Sequence, residues 1–271
     1  RFDYSAAIVF ADILLLPKAL GQDVRFEAGE GPRLGELPDL AVMRDNIASS
    51  TSELANIGET LRRVRDALDP QKALIGFAGA PWTVATYMVA GEGSRDQHET
   101  RTMAYGDPAA FQAIIDAIVA VTIEYLAGQI VAGAEAVQLF DSWAGSLAPA
   151  EFERWVIAPN AAIVAALKAR FPQVPVIGFP KGAGEKLPAY ARETRVHALG
   201  LDETIDPVWA DKVLPTGLPV QGNLDPLLLL AGGEEMEQQA LRILAAFADR
   251  PHVFNLGHGI GQHTPIEHVE A

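Results

Sequence analysis

Asp12 is the one carboxylate in the apolar run Ala6-Ala-Ile-Val-Phe-Ala-Asp-Ile-Leu-Leu-Leu-Pro17. A carboxylate taken out of water without compensation is costly, and buried charges are ordinarily paired. Asp12 must therefore meet a cation, cap a backbone turn, or wait for a ligand that carries N–H donors. Other side chains able to do chemistry follow later apolar runs: Phe77 with Gly79, Asp141 with Ser142, Lys181, Asp202, Asn223 with Asp225, and His258. Ser142, His258 and Asp141 have the types of a nucleophilic triad, but no nucleophile-elbow motif surrounds the serine. Ser142 reads instead as a turn residue or a substrate hydrogen-bonder. Lys181 has the chemistry for a Schiff base, although a strand-end lysine more often pairs with an acid. His258, His263 and His268 recur at a spacing of five, which matches no zinc pattern, so no metal is expected. The chain has no cysteine, which excludes disulfides, thiolate nucleophiles and thiolate metal sites.

These residues act together only if the segments before them are strands whose ends meet. The run ending at Pro17 reads as a strand buried on both faces, of the kind found in parallel sheets covered by helices. Similar strands are expected at Ala73–Phe77, Ala136–Phe140, Val174–Phe179, Ala198–Leu201, Val220–Asn223 and His252–Asn255, and a short exposed hairpin within Gly21–Gly35. Ser52–Leu68 reads as an amphipathic helix, with Leu54, Ile57, Leu61, Val64 and Leu68 on one face. A helix should start at Asp107-Pro108 and stop at Gly133, and another runs from Pro149 to Arg170 with Pro159 inside it. Helices are also expected near Glu185–Arg195 and Glu234–Ala248. The alternation of strand and helix predicts an α/β fold, a (β/α)8 TIM-type barrel in one domain over residues 1–271. The barrel's first strand is expected to be missing and the chain to be incomplete at both ends. A doubly wound sheet would show a glycine-rich phosphate turn. Gly182-Ala-Gly184 and Gly257-His-Gly259-Ile-Gly261 lack that spacing. Chemistry in a barrel sits at the C-terminal ends of the strands.

Composition narrows the partners. Nearly half of the 271 residues are hydrophobic, and the formal net charge is −14. Nucleic acid and anionic membrane surfaces are therefore not expected to bind. No apolar run reads as a membrane span, no signal or transit peptide is visible, and the lack of cysteine suits a cytoplasmic location.

The stretches Phe10-Ala-Asp12-Ile-Leu with Pro17-Lys-Ala-Leu-Gly21, Gly76-Phe-Ala-Gly-Ala-Pro-Trp-Thr83, Thr86-Tyr87-Met88-Val89 and Gln138-Leu-Phe-Asp-Ser142 resemble the uroporphyrinogen decarboxylase family. Val220-Gln-Gly-Asn-Leu-Asp-Pro226 and Asn255-Leu-Gly-His-Gly259 extend the resemblance over nearly the whole chain. It implies a homodimeric (β/α)8 barrel that needs no cofactor. Its activity is a carboxy-lyase of haem biosynthesis, removing the carboxyl groups of the four acetate side chains of uroporphyrinogen III to give coproporphyrinogen III. Asp12 then matches the central aspartate that accepts the pyrrole N–H groups and stabilises the cationic macrocycle, and Tyr87 a tyrosine near the reacting acetate. Ser142 and His258 match contacts to substrate carboxylates, and Phe77 lies against the ring. The family's Arg-Gln-Ala-Gly-Arg-Tyr stretch has no counterpart here, and an arginine-bearing segment is expected before Arg1. Aromatic residues near strand ends, Trp143 and Trp155, suit a homodimer covering the barrel mouths. Two alternatives are a non-catalytic porphyrinogen-binding relative and a zinc-dependent methyltransferase of the same fold, the latter disfavoured by the missing cysteines.

Overall fold

The structure is a computed structural model that describes residues 3–27, 31–94 and 96–270. Seven parallel strands form one curled sheet: β1 (Ala6–Ile8), then β4 (Ala73–Gly79), β5 (Ala136–Asp141), β6 (Val176–Pro180), β7 (Ala198–Gly200), β8 (Val220–Gln221) and β9 (His252–Val253). They neighbour one another in chain order, as in an α/β barrel. Two further strands, β2 (Val24–Glu27) and β3 (Gly31–Leu34), form the expected antiparallel hairpin outside that sheet. The seven parallel strands are the seven read from the sequence. Among the described residues β1 pairs only with β4 and β9 only with β8, so the sheet has two edges.

The first run departs from its expected form. Its strand spans only Ala6–Ile8, and a helix begins at Leu15 that contains Pro17. The strand is at an edge, with Ile8 47 % exposed, so it is not buried on both faces. The ladder ends because Val9 N–H makes the last bond to the Ile75 carbonyl, after which the chain leaves β4. Gln129, reaching from the helix Pro108–Val131, then takes both backbone groups of Phe77: its Oε1 accepts the N–H and its Nε2 donates to the carbonyl, each at 2.9 Å. A short apolar run leaves strand and helix indistinguishable, and here the chain uses it for both.

The longest helix starts at its expected capping residue. Asp107 accepts the Ala110 N–H at 3.0 Å ahead of Pro108, and the helix runs to Val131 before Gly133 at φ 112°. This helix is long and apolar enough to cross a bilayer, which corrects the reading that no such segment exists; more than half of its most apolar stretch is buried inside the fold. Phe111, Ile114, Ile118, Val121 and Leu126 carry it into the core. The expected Ser52–Leu68 helix is two, Leu40–Glu53 and Ala55–Ala67, and Leu61 of its apolar face is fully buried. The Pro149–Arg170 stretch holds a π-helical turn, Glu153–Ile157, just before Pro159. Trp155 lies in that turn, fully buried with its ring edge-on to Phe111 at 4.8 Å, and so is unable to contact a second subunit.

Candidate active site

Aromatic rings line the C-terminal ends of the strands in an unbroken row. Phe10 follows β1 and lies 5.7 Å from Phe77 of β4; Phe77 is 5.5 Å from Phe140 of β5, and Phe140 is 5.6 Å from Phe179 of β6. His258, in the loop after β9, closes the row 6.2 Å from Phe179. The register produces this arrangement, because Phe140 and Phe179 are directly paired across β5 and β6. Phe10 is 84 % exposed although it touches the row, which gives the mouth an apolar rim. The structure thus brings Phe77 and His258 onto one surface. Phe140 and Phe179 belong to it too, and only their position at the ends of apolar runs hinted at that.

Asp12 stands where the chain turns from β1 into the next helix. Its Oδ1 accepts the Leu14 N–H at 2.9 Å, and its Oδ2 takes no hydrogen bond from the described residues. Asp12 is half-buried rather than buried, and its backbone-capping reading is realised in the geometry while one oxygen stays available. The close passage of this turn over β4 explains the small-residue stretch at Ala78-Gly-Ala: a Cβ on Gly79 would lie 3.1 Å from Ile13. Tyr87 projects from the helix Pro81–Ala90 and stacks on Trp143 with centroids 4.6 Å apart. Burial of the ring, and next the charge of Asp12, push the Tyr87 phenol above its ordinary pKa. The phenol therefore stays protonated at neutral pH and is a hydrogen-bond donor beside an acidic acceptor.

Three loops meet at the other end of the row. Lys181, after β6, pairs with Glu203 at 3.1 Å, the outcome expected of a strand-end lysine. Desolvation first, and then the Lys181 ammonium, lower the pKa of His258, while Glu203 and Asp202 pull the other way. His258 is thus neutral at pH 7, with one ring nitrogen to donate and one to accept. Its loop rests directly on Glu203, where a Cβ on Gly257 would meet the Glu203 nitrogen at 2.2 Å. Ser142 is half-buried in the turn after β5. Among the described residues no hydrogen bond joins Ser142, Asp141 and His258, so no triad is assembled. Among the described residues no three His, Asp or Glu side chains gather in a way that could hold a metal ion. His268 bonds the Leu229 carbonyl and His263 the Gln262 amide.

A layer of buried polar groups beneath the mouth holds these side chains in place. Thr83 Oγ1 donates to Asp141 Oδ1 at 2.6 Å and receives the Trp143 N–H at 3.4 Å. That knot ties the helix carrying Tyr87 to the loop carrying Ser142 and Trp143. Asp141 is fully buried, and burial, opposed by the Thr83 bond and the nearby Asn160 side chain, raises its pKa to about 7. Asp202 is saturated: Oδ2 accepts the Gly182 N–H at 2.8 Å, and Oδ1 accepts the Thr204 N–H and hydroxyl at 2.9 and 2.5 Å. Asn223 donates to the Asp202 and Ile205 carbonyls, at 2.9 and 2.7 Å. Asp202, Asn223 and Asp225, which caps the helix Pro226–Ala231 through the Leu227 N–H, therefore shape loops.

Comparison with known proteins agrees with this architecture. A protein from Methanosarcina mazei described as a methyltransferase superimposes with a TM-score of 0.77 over 98 % of this chain and 78 % of its own, at 17 % identity. A B12-independent methionine synthase from Shewanella sp. W3-18-1 gives a TM-score of 0.52 over 77 % of this chain and 60 % of its own, at 13 % identity. At such identities the likeness concerns the fold. The uroporphyrinogen decarboxylase of Novosphingobium aromaticivorans is 67 % identical, covering the whole of this chain and 79 % of the relative. Those of Erythrobacter litoralis and Caulobacter vibrioides are 66 % and 50 % identical, covering 79 % and 77 % of the relatives. The family model described as uroporphyrinogen decarboxylase matches residues 1–271, and the chain belongs to that family.

Proposed function

We propose that the mouth built by Asp12, Phe77, Tyr87, Ser142 and His258 is the place where this chain carries out its family's reaction. The chain is a carboxy-lyase of tetrapyrrole biosynthesis, acting on uroporphyrinogen. Decarboxylating an acetate on a pyrrole requires somewhere for the electron pair of the breaking C–C bond to go. A ring protonated at its α-carbon accepts that pair; carbon dioxide leaves, the exocyclic methylene takes up a proton to become methyl, and the α-carbon proton is returned. The protein's task is to favour the cationic ring. A carboxylate fixed before the reaction begins does this without reorganising when charge develops.

The observation that carries the reading is the position of Asp12. One oxygen is locked on the Leu14 N–H, the other has no partner among the described residues, and the charge is felt by Tyr87. In this reading Asp12 Oδ2 accepts the pyrrole N–H groups and Tyr87 donates to the reacting acetate. The Phe77 ring supports the macrocycle, and Ser142 and His258 hold peripheral carboxylates. Incubating the protein anaerobically with uroporphyrinogen III, and separating the oxidised products by carboxyl number, should show stepwise loss down to coproporphyrin. Folded protein that leaves the substrate unchanged would sink the assignment.

A cytoplasmic homodimer is part of the same proposal. Phe10, Phe254 and Ile260 are exposed beside the ends of β1 and β9, and a second copy would cover them. Sedimentation at micromolar concentration should show a dimer, and a monomer of 29.0 kDa would reject it.

A further inference from the structure

The ion pair between Lys181 and Glu203 sits beside His258, at the mouth, and no step of the reaction above uses it. Lys181 is anchored through its backbone: its N–H donates to the Asp141 carbonyl and its own carbonyl accepts the Gly145 N–H, both at 3.0 Å. The ammonium is the end left to move. Glu203 is half-satisfied. Oε1 is 3.1 Å from the Lys181 ammonium, while Oε2 is buried without a hydrogen-bond donor. Its neighbour Asp202 differs, with donors on both oxygens. A buried carboxylate oxygen lacking a donor is costly, so Glu203 is held to its place less firmly than Asp202. Both members of the pair are about three-quarters shielded, with side-chain exposures of 26 % and 22 %, where a charge-assisted contact is stronger than on an open surface.

We propose that Lys181 is a further carboxylate-binding residue of this mouth, and that Glu203 occupies its ammonium until a substrate carboxylate displaces it. The proposal rests on the reading that the mouth receives a tetrapyrrole polycarboxylate. An incoming carboxylate takes one hydrogen bond from the Lys181 ammonium and a second from the neutral His258 ring. Glu203, displaced, repels any further carboxylate from the same corner. The pair thus sets how many side-chain acids this end of the mouth accepts at once, and thereby the orientation of the macrocycle.

The test uses wild-type protein and the variants Lys181→Met, Glu203→Gln and the two combined, measured for uroporphyrinogen III turnover, coproporphyrinogen III binding and urea stability. Lys181→Met should raise KM by about tenfold or more, with a smaller change in kcat. Glu203→Gln keeps the shape and removes the competitor, so coproporphyrinogen should bind several-fold more tightly. The double variant discriminates. If Lys181 served only to neutralise Glu203, removing both charges would restore stability and binding together. The proposal expects stability to return while binding, relieved only of the Glu203 repulsion, stays well below that of wild type. Wild-type affinity in the double variant, or unaltered KM in Lys181→Met, would overturn it while leaving the mouth as the active site. Wild-type protein that neither binds nor turns over tetrapyrrole would overturn that reading and this proposal with it.

Discussion

Replacing Asp12 by asparagine separates its two tasks. The amide oxygen can still accept the Leu14 N–H now held at 2.9 Å, so the turn and the helix after it should form as before. Only the charge is lost. A carboxylate about 4 Å from a cationic pyrrole, in surroundings of effective dielectric about 20, contributes about 4 kcal/mol. Asp12 is half-buried, and solvent screening lowers this to roughly 2–3 kcal/mol. Realised only once the ring becomes cationic, it corresponds to a fall in kcat of about 30- to 160-fold. Single-turnover decarboxylation under anaerobic conditions gives the chemical step, and urea unfolding shows whether the fold is intact. A second readout needs no substrate. Part of the upward shift of the Tyr87 phenol comes from Asp12, so its pKa should fall in Asp12→Asn yet stay above the ordinary value, because burial is the larger cause. A rate within threefold of wild type in a folded variant would refute the electrostatic argument. A Tyr87 titration that does not move would refute the geometry beneath it.

Tyr87→Phe keeps the ring that stacks on Trp143 at 4.6 Å and loses only the hydroxyl. Stability should change little while kcat falls by about tenfold or more, and an unchanged kcat would remove Tyr87 from the chemistry. Asp141 has its folded-state pKa raised from 3.8 to about 7, so folded protein holds a proton that unfolded protein releases across that window. Its contribution to stability is most favourable below the window and declines as pH rises through it, by about 4 kcal/mol in full and roughly 2–3 kcal/mol between pH 5 and pH 8. Asp141→Asn should therefore gain on wild type by that amount from pH 5 to pH 8 in urea unfolding; parallel pH curves would show that Asp141 does not titrate there. Gly257→Ala places a methyl 2.2 Å from the Glu203 backbone nitrogen, which is unable to move aside as a side-chain end would. The loop must shift and carry His258 with it, so the variant should lose about 1–3 kcal/mol of stability and bind coproporphyrinogen more weakly. Unaltered binding would mean that His258 does not hold a carboxylate.

The strands were legible because each is a short apolar run closed by glycine, proline or a polar residue, and their number was right for the same reason. Asp12 was conspicuous as a charge in an apolar stretch, but how deeply it is buried was not. That depends on β1 being an edge strand of three residues whose ladder Gln129 interrupts from a helix far along the chain. No local pattern in the sequence announces a side chain that replaces a neighbouring strand. Trp155 misled in the opposite sense: near a strand-end loop in sequence, it lies in a π-helical turn that rotates it into the core. The row from Phe10 to His258 is a matter of register, which emerges only when the strands are paired. Nothing in the sequence sets Glu203 apart, and only the convergence of three loops places it against Lys181.

The mouth joins two kinds of residue whose costs differ. Phe10, Phe77, Phe140 and Phe179 offer an apolar surface, and residues of that kind are readily exchanged for others of similar volume. The polar residues below them are not. Thr83 and Asp141 hold the Tyr87 helix against the Ser142 turn by a 2.6 Å bond inside the core, at the expense of a carboxyl whose Oδ2 has no donor. Filling that space with apolar side chains would remove an unsatisfied acceptor, and a fold selected for stability alone has little reason to keep it. What the bond provides is a fixed relation between the helix that carries Tyr87 and the turn that carries Ser142, the phenol and hydroxyl proposed to face one substrate. Misplacing either by about 1 Å is enough to cost on the order of a hundredfold in rate. In the proposed reaction the buried Asp141 is best understood through the position of Tyr87, and Asp12 through the turn that holds it still, so that charges and donors are in place before the ring is protonated.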